Sequence, residues 1–328
     1  MPVNETLATY SDWTYNSAVA VYVLAMVFYL CEQAFGRVAK KSSQEARELV
    51  AVGGGGSEVV VTTAASPAPG RVIREERSRA ERLGRMGAAL TVLGAVLHGG
   101  SLVLRGVATG RAPWGNMYEY GALLCLAAVV TWLVLMRKYS VRRLGAFVLL
   151  PIVILMFLGG TVLYTNAAPV QPALQSYWLV IHVSVISASS GILLVPGIVS
   201  VLYLLKNANE RNPERLVKIT RKLPAADVLD RLAYRTTIFG FPLYTVGIIC
   251  GAIWAEAAWG RFWGWDPKET TAFVAWVVYA AYLHARATAG WRGSGAAWIN
   301  VLGFAVSVFN LFFINLVTAG LHSYAGVG

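Results

Sequence analysis

Runs of about 20 apolar residues recur along this whole chain, and that is the length a helix needs to cross the hydrocarbon of a bilayer. Eight stretches qualify: residues 17–35, 86–104, 118–136, 144–164, 178–205, 237–258, 270–289 and 296–319. A soluble core has no need of so much apolar sequence, since 56% of the 328 residues are hydrophobic and only 14% are charged. The pattern predicts an all-α, polytopic integral membrane protein with about eight transmembrane helices.

Orientation follows from lysine and arginine, which are retained in short cytoplasmic loops. Twenty-four of the 28 lie in the connections 36–85, 137–143, 206–235 and 286–292; Arg105, Arg111, Arg261 and Lys268 fall on the other side. The asymmetry predicts that both termini and the loop 254–270 are extracytoplasmic. It also makes the net charge of +11 a matter of topology. Nucleic-acid binding, which calls for a clustered basic face on a soluble domain, is therefore not expected. No Lys or Arg precedes residue 17 and no cleavage motif follows the first apolar run, so the first helix is expected to be retained. Cys31, Cys125 and Cys250 fall inside predicted helices and form no C-x-x-C or C-x-x-C-H, so the chain encodes neither a redox dithiol nor a self-attached c-type haem.

Three parts are expected: a first transmembrane helix within 1–35, a cytoplasmic Gly-rich, charged linker at 36–85, and a seven-helix core at 86–328 that carries the outer loop 254–270. In the core, Asn116 is a candidate N-cap for the third helix, with Glu119 completing a capping box or facing a ligand. Residues 213–235 alternate cations with Leu216, Ile219, Val228, Leu229 and Leu232, which fits either a short amphipathic helix on an anionic leaflet or a solvated connector.

Residues 259–270 read Trp-Gly-Arg-Phe-Trp-Gly-Trp-Asp-Pro-Lys-Glu-Thr, and Trp254 stands just before them. Gly260 and Gly264 weaken helix there, so Trp254, Trp259, Trp263 and Trp265 are expected to form a flat apolar platform suited to a large planar ligand. An aromatic belt at the membrane interface is the alternative. Asp266, Pro267 and Glu269 make a good helix start, as N-cap, first and third helical positions.

All four histidines lie in or at the end of a predicted span, where ionisable residues are costly and commonly functional. His182 and His322 flank the tryptophan loop in depth. Two neutral imidazoles there suit six-coordinate porphyrin iron, with the indoles covering the ring and Arg261 or Lys268 meeting its propionates. His284, 14 residues into its span, lies roughly 20 Å below the loop at about 1.5 Å per residue. It marks either a second, deeper haem site or a station on an entry path. His98 is expected to have a packing or hydrogen-bonding role.

Together these features resemble the tryptophan-rich signature of the haem-handling superfamily of cytochrome c maturation. The wider pattern resembles its CcsA/ResC branch, often labelled CcsB in actinobacteria. The resemblance runs from Arg105 to His322 through Gly-Arg-Ala-Pro-Trp-Gly-Asn-Met-Tyr-Glu at 110–119, Ile-His-Val at 181–183, Tyr-Leu-His-Ala-Arg at 282–286 and Gly-Leu-His-Ser-Tyr at 320–324. It implies a subunit of a bacterial cell-membrane cytochrome c synthase of system II, a haem lyase. In that reading His182 and His322 hold external haem b, and His284 serves a transmembrane haem site. Trp254, Trp259, Arg261, Trp263, Trp265, Asp266, Lys268 and Glu269 surround the ligand. The partners implied are a ResB/Ccs1-type membrane subunit, an apocytochrome c bearing C-x-x-C-H, and thiol-reducing factors. A haem exporter without ligation activity and a structural scaffold for the partner are the alternatives.

Overall fold

The computed structural model describes residues 2–52, 78–170, 175–214, 216–288, 290–318 and 320–322, with backbone alone for 36–52. The described residues form helices and connections and contain no strand. In chain order the helices are α1 (Glu5–Val52), α2 (Arg79–Thr109), α3 (Met117–Lys138), α4 (Gly145–Thr161), α5 (Tyr177–Arg211), a single turn α6 (Val217–Thr220), α7 (Ala226–Trp259), α8 (Pro267–Ala287) and α9 (Ser294–Val317). The segment expected as a linker is helical at both margins, since α1 continues to Val52 and α2 starts at Arg79; residues 53–77 lie outside the described residues.

Seven of these helices are long and apolar enough to cross a membrane: α1 to α5, α7 and α9. The eighth expected span coincides with α8, which has 21 residues. Lys268, Glu269, His284 and Arg286 lower its apolar character, and α8 does not rank with the seven. Of the two alternatives for 213–235, the amphipathic surface helix is not formed: α6 is one turn long and α7 has begun by Ala226. Leu229 and Leu232 are buried on α7, so the apolar half of that pattern is core.

Small residues let the helices approach closely, as bilayer packing demands. Along α1, Tyr15, Ala18, Tyr22, Ala25 and Tyr29 recur at steps of three and four and are all buried. Tyr22 seats on Gly94 of α2 and Tyr29 on Gly87, with the Tyr29 hydroxyl 3.1 Å from Thr91 Oγ1. His98 is fully buried in this seam, edge-on to Tyr15 and Tyr22 at ring distances of 5.8 and 6.1 Å. The ring packs between α1 and α2. Helix α5 is the central strut, contacting α3, α7 and α9; 67% of its apolar window is buried, against 17% for α9.

Polar ties mark the two ends of the bundle. At one end Arg142 pairs with Glu32 at 2.6 Å, Arg235 donates to the Tyr139 hydroxyl at 2.9 Å, and Arg286 pairs with Asp230 at 2.8 Å. At the other, Arg105 and Arg111 both pair with the fully buried Glu119, at 3.0 and 2.7 Å, and Arg105 also donates to the Thr165 carbonyl. Arg111 further donates to the Ala168 carbonyl at 2.9 Å. The connections 137–143, 206–235 and 286–292 therefore share one end, and the tryptophan loop occupies the opposite one.

Asn116 caps α3 as expected, accepting from the Glu119 N–H at 2.9 Å. The reciprocal half of the capping box is absent. The Glu119 carboxylate accepts instead from the Gly115 N–H at 2.8 Å and from the two arginines, and so pins the turn 114–117 rather than the cap.

Candidate haem-binding site

A cavity enclosing ≈ 1480 Å³, counted to its open mouth, lies between α3, α5, α7, α8 and α9. Its upper wall is formed by Trp114, Asn116, Trp254, Trp259, His182 and His322, and its floor by Leu194, Tyr279 and Phe304. Its lining is largely apolar and aromatic with a few polar groups set into it, the make-up of a small-molecule site. Each of the two histidines comes from a different kind of element. His182 sits on the first turns of α5; His322 follows α9, beyond Thr318.

Both imidazoles are oriented through Nδ1. His182 Nδ1 lies 2.8 Å from the Gly247 carbonyl oxygen, which can only accept, so the proton resides on Nδ1 and the lone pair on Nε2. His322 Nδ1 lies 2.8 Å from Asp266 Oδ2 and takes the same tautomer. Metal-ligating histidines are typically held this way, donating one ring N–H to a carbonyl or carboxylate. Trp254 contacts both: its ring stacks on His182 at 6.1 Å and 8°, and meets His322 at 6.2 Å and 64°. Trp259 stands edge-on to His322 at 5.2 Å.

Two glycines make room for this arrangement. A Cβ on Gly251 would stand 2.6 Å from His182 Cε1, and one on Gly320 would stand 2.6 Å from Asp266 Oδ1. Asp266 itself has three duties. It caps α8, accepting from the Lys268 N–H at 3.3 Å; it accepts from the Leu321 N–H at 2.7 Å; and it holds His322. Burial raises its carboxyl, but the His322 and backbone donors outweigh that and leave it below its ordinary value. Burial likewise holds the His322 imidazole below its ordinary value, with Asp266 pulling the other way. In the fold the pair is a carboxylate and a neutral imidazole.

The capping box of α8 is complete, with Glu269 accepting from Asp266 N at 3.2 Å and from Gly264 N at 2.9 Å. The structural role expected of both carboxylates is thus present, and Asp266 carries the orientation of His322 in addition.

The flat platform is not formed. Trp254 and Trp259 meet at 64° and Trp263 and Trp265 at 88°, and the two pairs sit on different elements, the first on α7 and the second on the turn beyond Gly260. Trp254, Trp259 and Trp263 line the cavity. Trp265 is 66% exposed, packs on Trp263 and Phe273, and has a left-handed backbone at φ 56°, a conformation disfavoured outside glycine.

Of the two cations expected near a carboxylate-bearing ligand, Lys268 lines the cavity. Its Nζ donates to Asn315 Oδ1 at 2.6 Å and stands 5.8 Å over Tyr120. Arg261 turns toward Glu269 at 3.9 Å and lies over Trp259 at 6.0 Å. His284 is not brought to the cavity. It lies near the far end of α8 and is exposed. Lining residues not anticipated from sequence include Met117, Tyr120, Asn310 and Asn315; the two asparagines, polar residues inside the apolar α9, carried the signal.

Residues 114–322 match the family described as Cytochrome C assembly protein. The chain is 37% identical over 238 residues to the Cytochrome c biogenesis protein CcsA of Guillardia theta, covering 67% of this chain and 79% of that protein. It is 37% identical over 263 residues to the CcsA of Parasynechococcus marenigrum, covering 72% and 85%. Among solved structures, the one titled Cytochrome c Heme Lyase CcmF aligns over 100% of this chain with a TM-score of 0.61 and 15% identity, a likeness of fold. The chain spans about half of that protein, 49% of its length.

Proposed function

The chain belongs to the cytochrome c assembly protein family, and from that premise we propose that it is the haem-presenting subunit of a membrane cytochrome c synthase. One observation carries the reading. His182 and His322, one from α5 and one from beyond α9, are both anchored through Nδ1 beside Trp254 at the mouth of a large cavity. That donor set fits an iron porphyrin, which takes two neutral imidazoles through Nε2.

In this reading haem b is substrate as well as ligand, and its vinyl groups supply the chemistry. Each thiol of an apocytochrome C-x-x-C-H segment adds across one vinyl double bond. A C–S bond forms, the thiol proton ends on the other vinyl carbon, and no electrons are gained or lost. His182 and His322 fix the iron, and the tryptophan walls exclude water, so the reacting atoms meet in one orientation. Lys268 provides a cation for a propionate. The substrate's own histidine would then displace one of the two imidazoles.

The loop 254–270 is assigned to the extracytoplasmic face, with α8 as an eighth span and both termini on that side. The concentration of Lys and Arg at the opposite end of the bundle supports this orientation. His284 is assigned to a second haem site completed by a ResB/Ccs1-type partner, and its exposure on α8 supports a site that needs a second subunit. Thiol-reducing factors keep the substrate cysteines reduced.

The test is the reduced-minus-oxidised absorption spectrum of the detergent-purified chain, alone and with its partner, beside His182→Ala, His322→Ala and His284→Ala. Sharp bis-histidine bands should be lost on changing either outer histidine. Unchanged haem content and spectrum in both outer variants would overturn the assignment. Normal cytochrome c assembly in all three would favour the scaffold.

A further inference from the structure

At the end of the bundle opposite the tryptophan loop, a groove between α2, α3 and the turns that follow α3 and α6 encloses ≈ 2540 Å³, open at its mouth. It has two walls of opposite character. Val92, Val130 and Val134, 45–47% exposed, line it along the membrane-facing sides of α2 and α3. Arg137, Lys138, Arg143, Arg221 and Lys222 line it where those helices end.

Two further cations on its rim already have partners: Arg85 pairs with Glu81 at 3.0 Å and Arg142 with Glu32 at 2.6 Å. Among the described residues no carboxylate pairs with the other five. Basic residues at helix ends are common in membrane proteins, and scattered ones need only water. These five instead converge from two separate segments on a concavity that also holds Glu32 and Glu81, already paired with Arg142 and Arg85, and whose side along the lipid face is apolar. A soluble anion would use the cations and leave the valines wet. An apolar ligand would leave five positive charges mutually repelling. An anionic amphiphile matches both walls.

We propose that this groove binds an anionic phospholipid, with its phosphate among Arg137, Lys138, Arg143, Arg221 and Lys222 and an acyl chain along Val92, Val130 and Val134. The site lies outside the haem cavity and shares no residue with it.

The test is native mass spectrometry of the full chain in detergent, titrated with dioleoylphosphatidylglycerol or dioleoylphosphatidylcholine. The anionic lipid should be retained at lower concentration than the zwitterionic one. A basic residue near such a headgroup is worth about fivefold, so Arg137→Gln with Lys138→Gln should raise half-saturation about 25-fold. Arg211→Gln with Arg231→Gln, an equal charge change outside the groove, should leave it unchanged. Glycerol 3-phosphate in excess should not displace the lipid. Equal retention of the two lipids, or equal losses in the two double variants, would overturn the proposal. Displacement by glycerol 3-phosphate would overturn it in favour of a soluble phosphate ligand.

Discussion

Replacing Asp266 with asparagine isolates what its carboxylate does for His322. Asparagine is as good an N-cap as aspartate, so the start of α8 survives. The carboxylate, however, accepts from donors on both oxygens: Leu321 N–H on one, His322 Nδ1–H and Lys268 N–H on the other. Either orientation of the amide points an NH₂ group at a donor. With nitrogen toward His322, the ring must move its proton to Nε2 and loses the lone pair that would reach iron. With oxygen there, Leu321 is released and the charge that strengthens the imidazole as a ligand is gone. A charge-assisted hydrogen bond is worth about 1.5–3 kcal/mol, and loss of a carboxylate behind a metal-bound histidine typically costs about 10–100-fold in affinity. The two ranges meet near ~2 kcal/mol, or about thirtyfold weaker haem retention. Absorption titration of haem into the purified D266N protein measures this, and the low-spin bands should give way to a five-coordinate spectrum. Retention within about threefold of native with unchanged bands would refute the claim that Asp266 sets the tautomer of His322.

Three further outcomes follow from the same geometry. Gly251→Ala places a methyl against the His182 ring and should abolish the low-spin spectrum while circular dichroism shows the helices intact. Glu119→Gln leaves the buried Arg105 without its full counter-charge and should destabilise the protein by about 3–5 kcal/mol, read as a fall in thermal midpoint. The seat of His322 should also weaken in acid. The folded pKa values of Asp266 and His322 are both depressed, so each contributes stability that is present above its unfolded value and lost as pH falls toward its folded one. The loss should set in below about pH 6.5, the ordinary histidine value, and haem retention measured against pH should fall there.

Much of the site was legible in sequence because its signals are local or categorical. Histidines in apolar spans stand out by cost alone, and Asp266-Pro267 with Glu269 announces a helix start within four residues. The expectation failed where geometry depends on residues distant in the chain. Nothing near Asp266 indicates that its carboxylate reaches a histidine 56 positions later. Nothing near Glu119 indicates that Arg105, on the preceding helix, takes the carboxylate away from the capping box. The flat platform was an inference from composition, and composition is silent about whether indoles project from a helix or from the turn beyond it. The pattern at 213–235 fitted a membrane-surface helix and a solvated connector equally, and Leu229 and Leu232 belong instead to the buried face of α7; periodicity alone does not say what a stripe rests against.

Helix α8 begins at the residue that holds His322 and, near its other end, carries the exposed His284. The two positions are 18 residues apart, roughly 27 Å along a stiff rod at 1.5 Å per residue. His182, by contrast, is fastened to α7 through the Gly247 carbonyl and rides on the most enclosed helix of the bundle. The two imidazoles are therefore oriented by different helices, His182 through α7 and His322 through the residue that starts α8, and the Arg286–Asp230 pair at 2.8 Å ties the far end of α8 back to α7.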